Sequence, residues 1–372
     1  MRIAMLSLPS TAQGPLPKHT PLLVEGLRGL GCEVELLPWG RRVEGERLPA
    51  KLVGRARHVA GARRAVIAGD FDVVIVKTAH DWLTLVRDLV LVRALPRDRV
   101  IVVQFHGSQS PRLVMPGSAL FKAATKALLT RTDGVLVLSR EEQAEWQAFS
   151  PRSRVFVVRN VRPVPPERFA GRDQHGDGPP TVLCVARLMA GKGVLELVRA
   201  LPLVQRQVPC RLVLVGDGPE ASRIRVLAEA LGVGGSVELP GYLGGEELAR
   251  RYGRAAVFAL PTSLPEGFPT AILEAMAAGL PVVTTASRGP ADHLVEGQNA
   301  LFVPAHDPAA LACALIRLLR DDRLRGEMGD ANRDKVREFD PDPVAVEYLA
   351  TLESIVAAVH PRRELGQLRP EK

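Results

Sequence analysis

The chain has 372 residues, 46% hydrophobic and 4% aromatic, which favours about two domains with aliphatic cores over disorder. Four dispersed cysteines (Cys32, Cys184, Cys210, Cys313) and no run near the roughly 20 apolar residues of a membrane span argue against a disulfide framework, a cysteine metal site and a transmembrane chain. The net charge of +8 is uneven: residues 1–163 hold 25 Lys/Arg against 14 Asp/Glu and residues 164–372 hold 24 against 27, so the first half is expected to meet something anionic.

The first apolar run, Ile3 to Pro9, is too short for a signal peptide and reads as a buried strand, so a cytoplasmic chain is expected. Similar runs follow at Val34–Leu37, Val73–Val76, Val100–Phe105, Val135–Leu138 and Val155–Val158. They are β-branched and bounded by turn residues, as strands buried on both faces are. Helical stretches between them, such as Thr20–Leu30 and Ser118–Thr130, supply crossovers.

Within this half, residues 41–64 concentrate Arg41, Arg42, Arg47, Lys51, Arg55, Arg57, Arg63 and Arg64, and Leu52, Ala56, Val59, Val66 and Ile67 fall at helical spacing. The segment is either the solvated face of a core-packed helix or a basic amphipathic helix on an anionic membrane surface. The second reading makes the protein peripheral at the inner membrane face and implies a lipid-linked acceptor.

Residues 164–180 lie in a stretch rich in Pro, Gly and charge and read as a linker between a domain of residues 1–163 and one of residues 181–340. The rhythm then restarts, with strands expected at Val182–Ala186, Leu212–Val215, Val237–Leu239, Val257–Leu260, Val282–Thr285 and Leu301–Val303. Helices are expected at Val194–Gln207, Glu220–Leu231, Glu246–Ala255, Thr270–Ala278 and Pro308–Arg320, the last opening on a proline. Residues 341–372 carry one more amphipathic helix, expected to pack back toward the first domain. The fold class is α/β: two Rossmann-like, doubly wound parallel-sheet domains facing a cleft, with ligands beyond the carboxyl ends of the strands.

The motifs that carry chemistry cluster in the second half. Arg187 and Lys192 lie on a loop between strand and helix, with Gly191 and Gly193 around the lysine. Two cations beside a helix N-terminus match the charge of a diphosphate. A second glycine loop, Gly216-Asp217-Gly218-Pro219, opens the next helix, which alone is weak evidence. The stretch PTSLPEGFPTAILEAMAAGLPVV places Glu266 on a loop and Glu274 one turn into a helix, with seven residues between them. A carboxylate accepts two hydrogen bonds and so suits vicinal sugar hydroxyls, and amides at a helix start suit an anionic or hydroxyl-rich ligand.

The order Arg187…Lys192, the Gly216 loop, Gly241, Pro261-Thr262 and Glu266-x7-Glu274 resembles the retaining family 4 glycosyltransferases of the GT-B fold, over nearly all of residues 181–320. Asn160 resembles that family's boundary asparagine. The resemblance implies a metal-independent enzyme without a cofactor that takes its sugar from a nucleotide diphosphate. In it, Arg187 and Lys192 would stabilise the leaving diphosphate, Glu274 would hold the ribose, and Glu266 with Gly267, Phe268, Pro269 and Thr270 would hold the transferred sugar. Gly241, Tyr242 and Leu243 would hold the base, and Gly14, Lys18 and His19 would approach the phosphates from the first domain. His106 ends a strand where the family often has a histidine contacting sugar or acceptor, and Asp81 and Ser139 are weaker candidates of the same kind. Pro269 departs from the glycine of many relatives and lacks an amide donor, and the stretch SRGPADHLVEGQNALFV (287–303) is less glycine-rich than usual.

Three other readings compete. A dehydrogenase is disfavoured by the absence of a strand-linked GxGxxG with a following acid. A nucleic-acid binder is disfavoured by scarce aromatic platforms. An inactive nucleotide-sugar sensor would keep the same four side chains.

Overall fold

The computed structural model describes residues 1–9, 16–40, 48–162, 169 and 178–360, with side chains described from residue 17 in the first helix and from residue 57 in the second. Gly14 and residues 41–47 of the basic segment lie outside the described residues.

The chain divides into two compact units, Met1–Val161 with Phe339–Lys372, and Arg162–Glu338. The first unit runs β1 (Arg2–Ser7), α1 (Leu16–Gly29), β2 (Glu33–Pro38), α2 (Leu48–Gly69), β3 (Val73–Thr78), α3 (Trp82–Ala94), β4 (Val100–Phe105), α4 (Pro111–Val114), α5 (Ala119–Leu129), β5 (Gly134–Val137), α6 (Arg140–Phe149) and β6 (Val155–Val157). Its sheet is entirely parallel, in the order β2-β1-β3-β4-β5-β6. Strands such as VVIVKT and VIVVQF are buried at every position, because helices cover both faces.

The second unit runs β7 (Thr181–Val185), α7 (Val194–Gln205), β8 (Arg211–Val215), α8 (Ala221–Ala230), β9 (Val237–Gly241), α9 (Gly245–Arg254), β10 (Val257–Leu260), α10 (Thr270–Ala277), β11 (Val282–Thr284), α11 (Arg288–His293), β12 (Ala300–Phe302), α12 (Pro308–Arg320) and α13 (Asp322–Val336). Its sheet is again parallel, in the order β12-β11-β10-β7-β8-β9. In each sheet the order reverses direction beside the first strand, the topological switch point at whose carboxyl edge ligands collect.

The last helix, α14 (Pro341–Val359), returns to the first unit. Its Val344, Ala345, Tyr348, Leu352, Ile355 and Val356 share one buried cluster with Leu23, Val24 and Leu27 of α1 and with one face of β1, β3 and β4. The opposite face packs against α2, α3, α5 and α6 around Trp39, Phe121 and Trp146.

Three local expectations need correction. Phe169, read as part of a linker, is buried edge-on against Tyr252 of the second unit, whose boundary falls at Arg162. In α2, Val66 is fully buried but Ile67, assigned to the same apolar stripe, is exposed. Helix α13, absent from the expected elements, is strongly polar; buried Met328, Val336 and Asn332 anchor it, and the Asn332 side-chain amide donates to the carbonyls of Leu280 and Asn299.

Candidate functional site

The carboxyl edge of the second sheet is knitted from three glycine-bearing loops. After β7 the chain turns at Gly191 (φ 86°) and Gly193 (φ 76°) before entering α7. A Cβ at Gly193 would stand 2.3 Å from the Pro261 carbonyl oxygen, so both the positive φ and the space exclude any other residue there. After β8, Gly216 (φ 135°) passes so close to the first loop that a Cβ would meet the Ala186 carbonyl oxygen at 1.9 Å. Backbone bonds lock these turns together: Gly216 N donates to Gly241 O (2.8 Å), Leu188 N to Asp217 O (2.9 Å) and Glu220 N to Leu188 O (2.9 Å). The Asp217 carboxylate accepts from Tyr242 N at 3.1 Å, tying the loop after β9 to the loop after β8.

The fourth loop follows β10. Ser263 N donates to Gly191 O at 2.7 Å, and Thr262 Oγ1 lies 3.1 Å from both Gly191 O and Glu266 Oε1. These bonds carry Glu266 to Lys192, whose ammonium donates to Glu266 Oε1 in a half-buried ion pair. Two residues 74 apart in sequence thus meet at one point of the sheet edge. Arg187 is exposed on the same β7–α7 loop. Tyr242 is also exposed, at the end of β9. Gly267 and Phe268 are buried, and Gly267 O accepts from Gly289 N at 2.9 Å.

Helix α10 starts at Thr270 with Pro269 as its N-cap, which is where the acid pair requires it. Glu274 lies one turn in and is buried. Its Oε2 accepts from the hydroxyl of Tyr252 at 2.9 Å. Burial, then the Glu274 charge and the bond to it, push the Tyr252 phenol well above its usual pKa, so it stays a donor. Burial likewise raises the Cys184 thiol beneath this loop to about 12, leaving an inert core residue.

Two residues here escaped the sequence reading. Tyr252 sits on α9, a helix with no recognisable motif, and only its contact with Glu274 reveals it. Arg288 opens α11 at φ 45° and is only 2% exposed, immediately before the Gly289 that abuts Gly267. A buried arginine in a conformation L-residues avoid is a strained position beside the Glu266–Pro269 loop. The departure of residues 287–303 from a glycine-rich pattern was the available signal.

In the first unit the other candidates separate. His106 follows β4, with its amide bonded to Thr78 O at 2.8 Å. The residue is half-buried, yet its Nε2 is enclosed without a hydrogen-bond partner among the described residues. Burial, the Lys77 charge and His19 hold its pKa well below the ordinary value, so the imidazole is neutral. Lys77, at the end of β3, is buried and held down to about 7. His19 in α1 is buried with its Nδ1 against the Val161 carbonyl, and burial lowers it to about 4. Lys18 beside it is exposed.

Asp81 and Ser139 take structural positions. Asp81 is the N-cap of α3 and accepts from Leu83 N and Thr84 N, with Thr84 returning a bond in a capping box. Ser139 is fully buried and caps α6 through Glu142 N. Helix starts demand such residues irrespective of ligand. Among the described residues there is no group of three or more His, Cys, Asp or Glu side chains placed to hold a metal ion.

Comparison with known proteins shows the family. Residues 167–335 match the family model for glycosyl transferases group 1, and residues 18–162 match that for glycosyltransferase family 4. The chain is 36% identical over 294 residues to the GDP-mannose-dependent alpha-(1-6)-phosphatidylinositol monomannoside mannosyltransferase of Mycobacterium tuberculosis H37Rv, covering 74% of this chain and 73% of that protein. The enzyme of the same description from Mycolicibacterium smegmatis is 30% identical, covering 73% and 74%. Among solved structures, sucrose-phosphate synthase from Thermosynechococcus elongatus superposes with a TM-score of 0.78 at 22% identity, covering 96% of this chain and 99% of that one. Anabaena HepE, solved with UDP-glucose, gives 0.73 at 18% identity, covering 95% and 100%. The chain therefore belongs to the family 4 glycosyltransferases of the GT-B fold.

Proposed function

We propose that this glycosyltransferase takes its sugar from a nucleotide diphosphate, passes it to a hydroxyl acceptor with retention of anomeric configuration, and uses no metal ion. The carrying observation is the convergence of Lys192 and Glu266 on one point of the second sheet's carboxyl edge, beside Arg187 and two glycine loops. Arg187 and Lys192 neutralise the diphosphate as the bond from the anomeric carbon to the phosphate oxygen breaks, the task a divalent ion performs elsewhere. On donor binding the Lys192 ammonium exchanges its carboxylate partner for phosphate, which frees Glu266 for the hydroxyls of the transferred sugar. Glu274, steadied by Tyr252, holds the ribose, and Gly241, Tyr242 and Leu243 hold the base. The acceptor hydroxyl attacks from the leaving-group side and gives its proton to the departing phosphate oxygen, so no protein base is needed. His106, whose enclosed Nε2 has no hydrogen-bond partner among the described residues, is the first-unit side chain assigned to a sugar or acceptor hydroxyl.

The relatives at 30–36% identity are named for GDP-mannose and a phosphatidylinositol mannoside, so GDP-mannose and a lipid-linked acceptor head the substrates to test. A thermal-shift panel of GDP, UDP, ADP and their sugars tests the donor, since a ligand of the native state alone raises its melting temperature. At least one is expected to stabilise the protein, and no response to any overturns the reading. Binding without hydrolysis or transfer for every donor would favour an inactive sugar-nucleotide sensor.

A further inference from the structure

Helix α3 is apolar on two faces. Leu85, Leu91 and Val92 are buried beneath it, as its sheet-packing role requires. Its outward positions, however, are Leu83 (70% exposed), Val86 (52%) and Val90 (52%), at i, i+3 and i+7 on one stripe. The neighbouring elements extend the stripe. Trp82, 44% exposed, meets Phe121 of α5 edge-on at 5.3 Å, and Leu120 of α5 is 78% exposed. Val114 and Met115 at the end of α4 are exposed as well, as is Ile67 of α2. Singly exposed aliphatic residues are ordinary, but a contiguous set shared by adjacent helices marks an interaction surface.

The charge around this set is one-sided. From Trp82 to Arg131 there are eight Lys/Arg and two Asp/Glu, with Asp81 capping the start of α3, and from Arg57 in α2 to Asp70 just past its end there are three Lys/Arg and one acid. One of the two acids, Asp88, is buried, paired with Arg87 and accepting from Trp39 Nε1 at 2.8 Å. The other, Asp98, pairs with Arg99 in the loop before β4. Basic side chains stand among the apolar ones: Arg112 lies over the Phe121 ring at 5.8 Å, and Lys122 donates to the Met115 carbonyl at 2.7 Å. A second copy of this chain would bring the same positive charge to the contact. An anionic bilayer matches both features, taking the aliphatic side chains below its headgroups while Lys and Arg meet the phosphates. No described helix is long and apolar enough to cross a membrane, so the contact is one of lying on the surface.

We infer that the exposed face formed by α3 with the adjoining ends of α4 and α5 docks on an anionic lipid surface. This deepens the reading of a lipid-linked acceptor. It also moves the contact from the basic 41–64 segment to the helices beside it. The test needs no sugar transfer. Full-length protein is sedimented with phosphatidylcholine vesicles and with vesicles of phosphatidylcholine mixed with phosphatidylglycerol, at low and high salt. The wild type is expected to bind the mixed vesicles at low salt and to lose most binding at high salt. The L83S/V86S/V90S and K122E/K126E variants are each expected to bind about tenfold or more weakly. Their positions are surface ones, and an unchanged nucleotide-diphosphate thermal shift verifies that they fold. Wild-type binding by both variants, equal binding to zwitterionic vesicles, or no binding at all overturns the inference. So does a concentration-dependent dimer that L83S/V86S/V90S abolishes.

Discussion

Lys192 and Glu266 form an ion pair that is a consequence of four loops meeting, so each residue can be removed without touching the core. Lys192→Ala is expected to lower kcat about 10²–10³-fold, the range for loss of one group that stabilises developing charge, with the melting temperature little changed. Steady-state kinetics with the donor found by thermal shift checks this, and wild-type turnover would remove Lys192 from the mechanism. Tyr252 makes a different prediction, because both it and Glu274 are buried. Tyr252→Phe deletes the donor facing a buried carboxylate while keeping the ring's packing against Phe258 and Phe169. A bond to a charged group is worth about 1.5–3 kcal/mol, so stability falls by that order and the donor KM rises about tenfold or more with kcat less affected. An unchanged KM would leave Tyr252 as packing alone. The acid pair was legible from spacing, because a loop glutamate and a helix glutamate with seven residues between them fix a local geometry. Tyr252 was not, because its partner lies 22 residues away and no local pattern records that contact.

The end of the first sheet is a set of elements, β3, β4 and α1, that brings basic groups together. His19 sits against the Val161 carbonyl near Lys77 and Lys18, and His106 faces Lys77 and His19. On the other face, His80 bonds Thr125 and lies among Phe105, Phe121 and Trp146, with Asp81 and Arg112 nearby. Burial first, and neighbouring cations second, depress His19 to about 4 and His80 to about 3, and place His106 well below 6.5. The unfolded chain therefore binds more protons than the folded one below about pH 6.5, and stability falls as pH drops from there toward 4. Lys77, lowered from 10.5 to about 7, carries the same slope upward, until Cys184 opposes it above its unfolded value of 9.0. Urea unfolding followed by tryptophan emission from pH 4.5 to 8.5 is expected to give midpoints rising with pH, and a flat profile would contradict the burial of these groups. At this scale the sequence was most readable: β-branched runs marked all twelve strands among the described residues to within two residues, with β4 and β10 matched at both ends. Asp81 and Ser139 were read as weaker cleft candidates, and the structure adds that each caps a helix; a cap and a ligand-binding side chain look alike in one dimension, since both sit just past a strand, where helices also begin. Polar α13 was missed because its few anchors leave no apolar period to read.

The first unit is discontinuous, closed by a helix that arrives after the whole second unit has been made. Helix α14 places six side chains in the core shared with α1 and the sheet. Each such aliphatic or aromatic burial is worth about 1.5–3 kcal/mol, so the helix supplies on the order of 10 kcal/mol, comparable with the whole stability of a domain. It also satisfies polar groups: Tyr348 donates to the Gln104 amide oxygen at 2.9 Å, and Glu347 pairs with Arg159 at 2.5 Å. Ending the chain at Glu338 is therefore expected to unfold the first unit and spare the second, whose core α14 does not enter. The three tryptophans, Trp39, Trp82 and Trp146, all lie in the first unit, so their emission reports that unit alone. In the truncated chain that emission is expected to be red-shifted, with no cooperative urea transition. Calorimetry is expected to keep one transition from the second unit, raised by the nucleoside diphosphate that stabilises the full chain. A cooperative tryptophan transition surviving truncation would show that α1 and the sheet close their core unaided. Loss of both transitions would show instead that the second unit depends on the first, and either result contradicts an α14 that belongs energetically to the first unit alone.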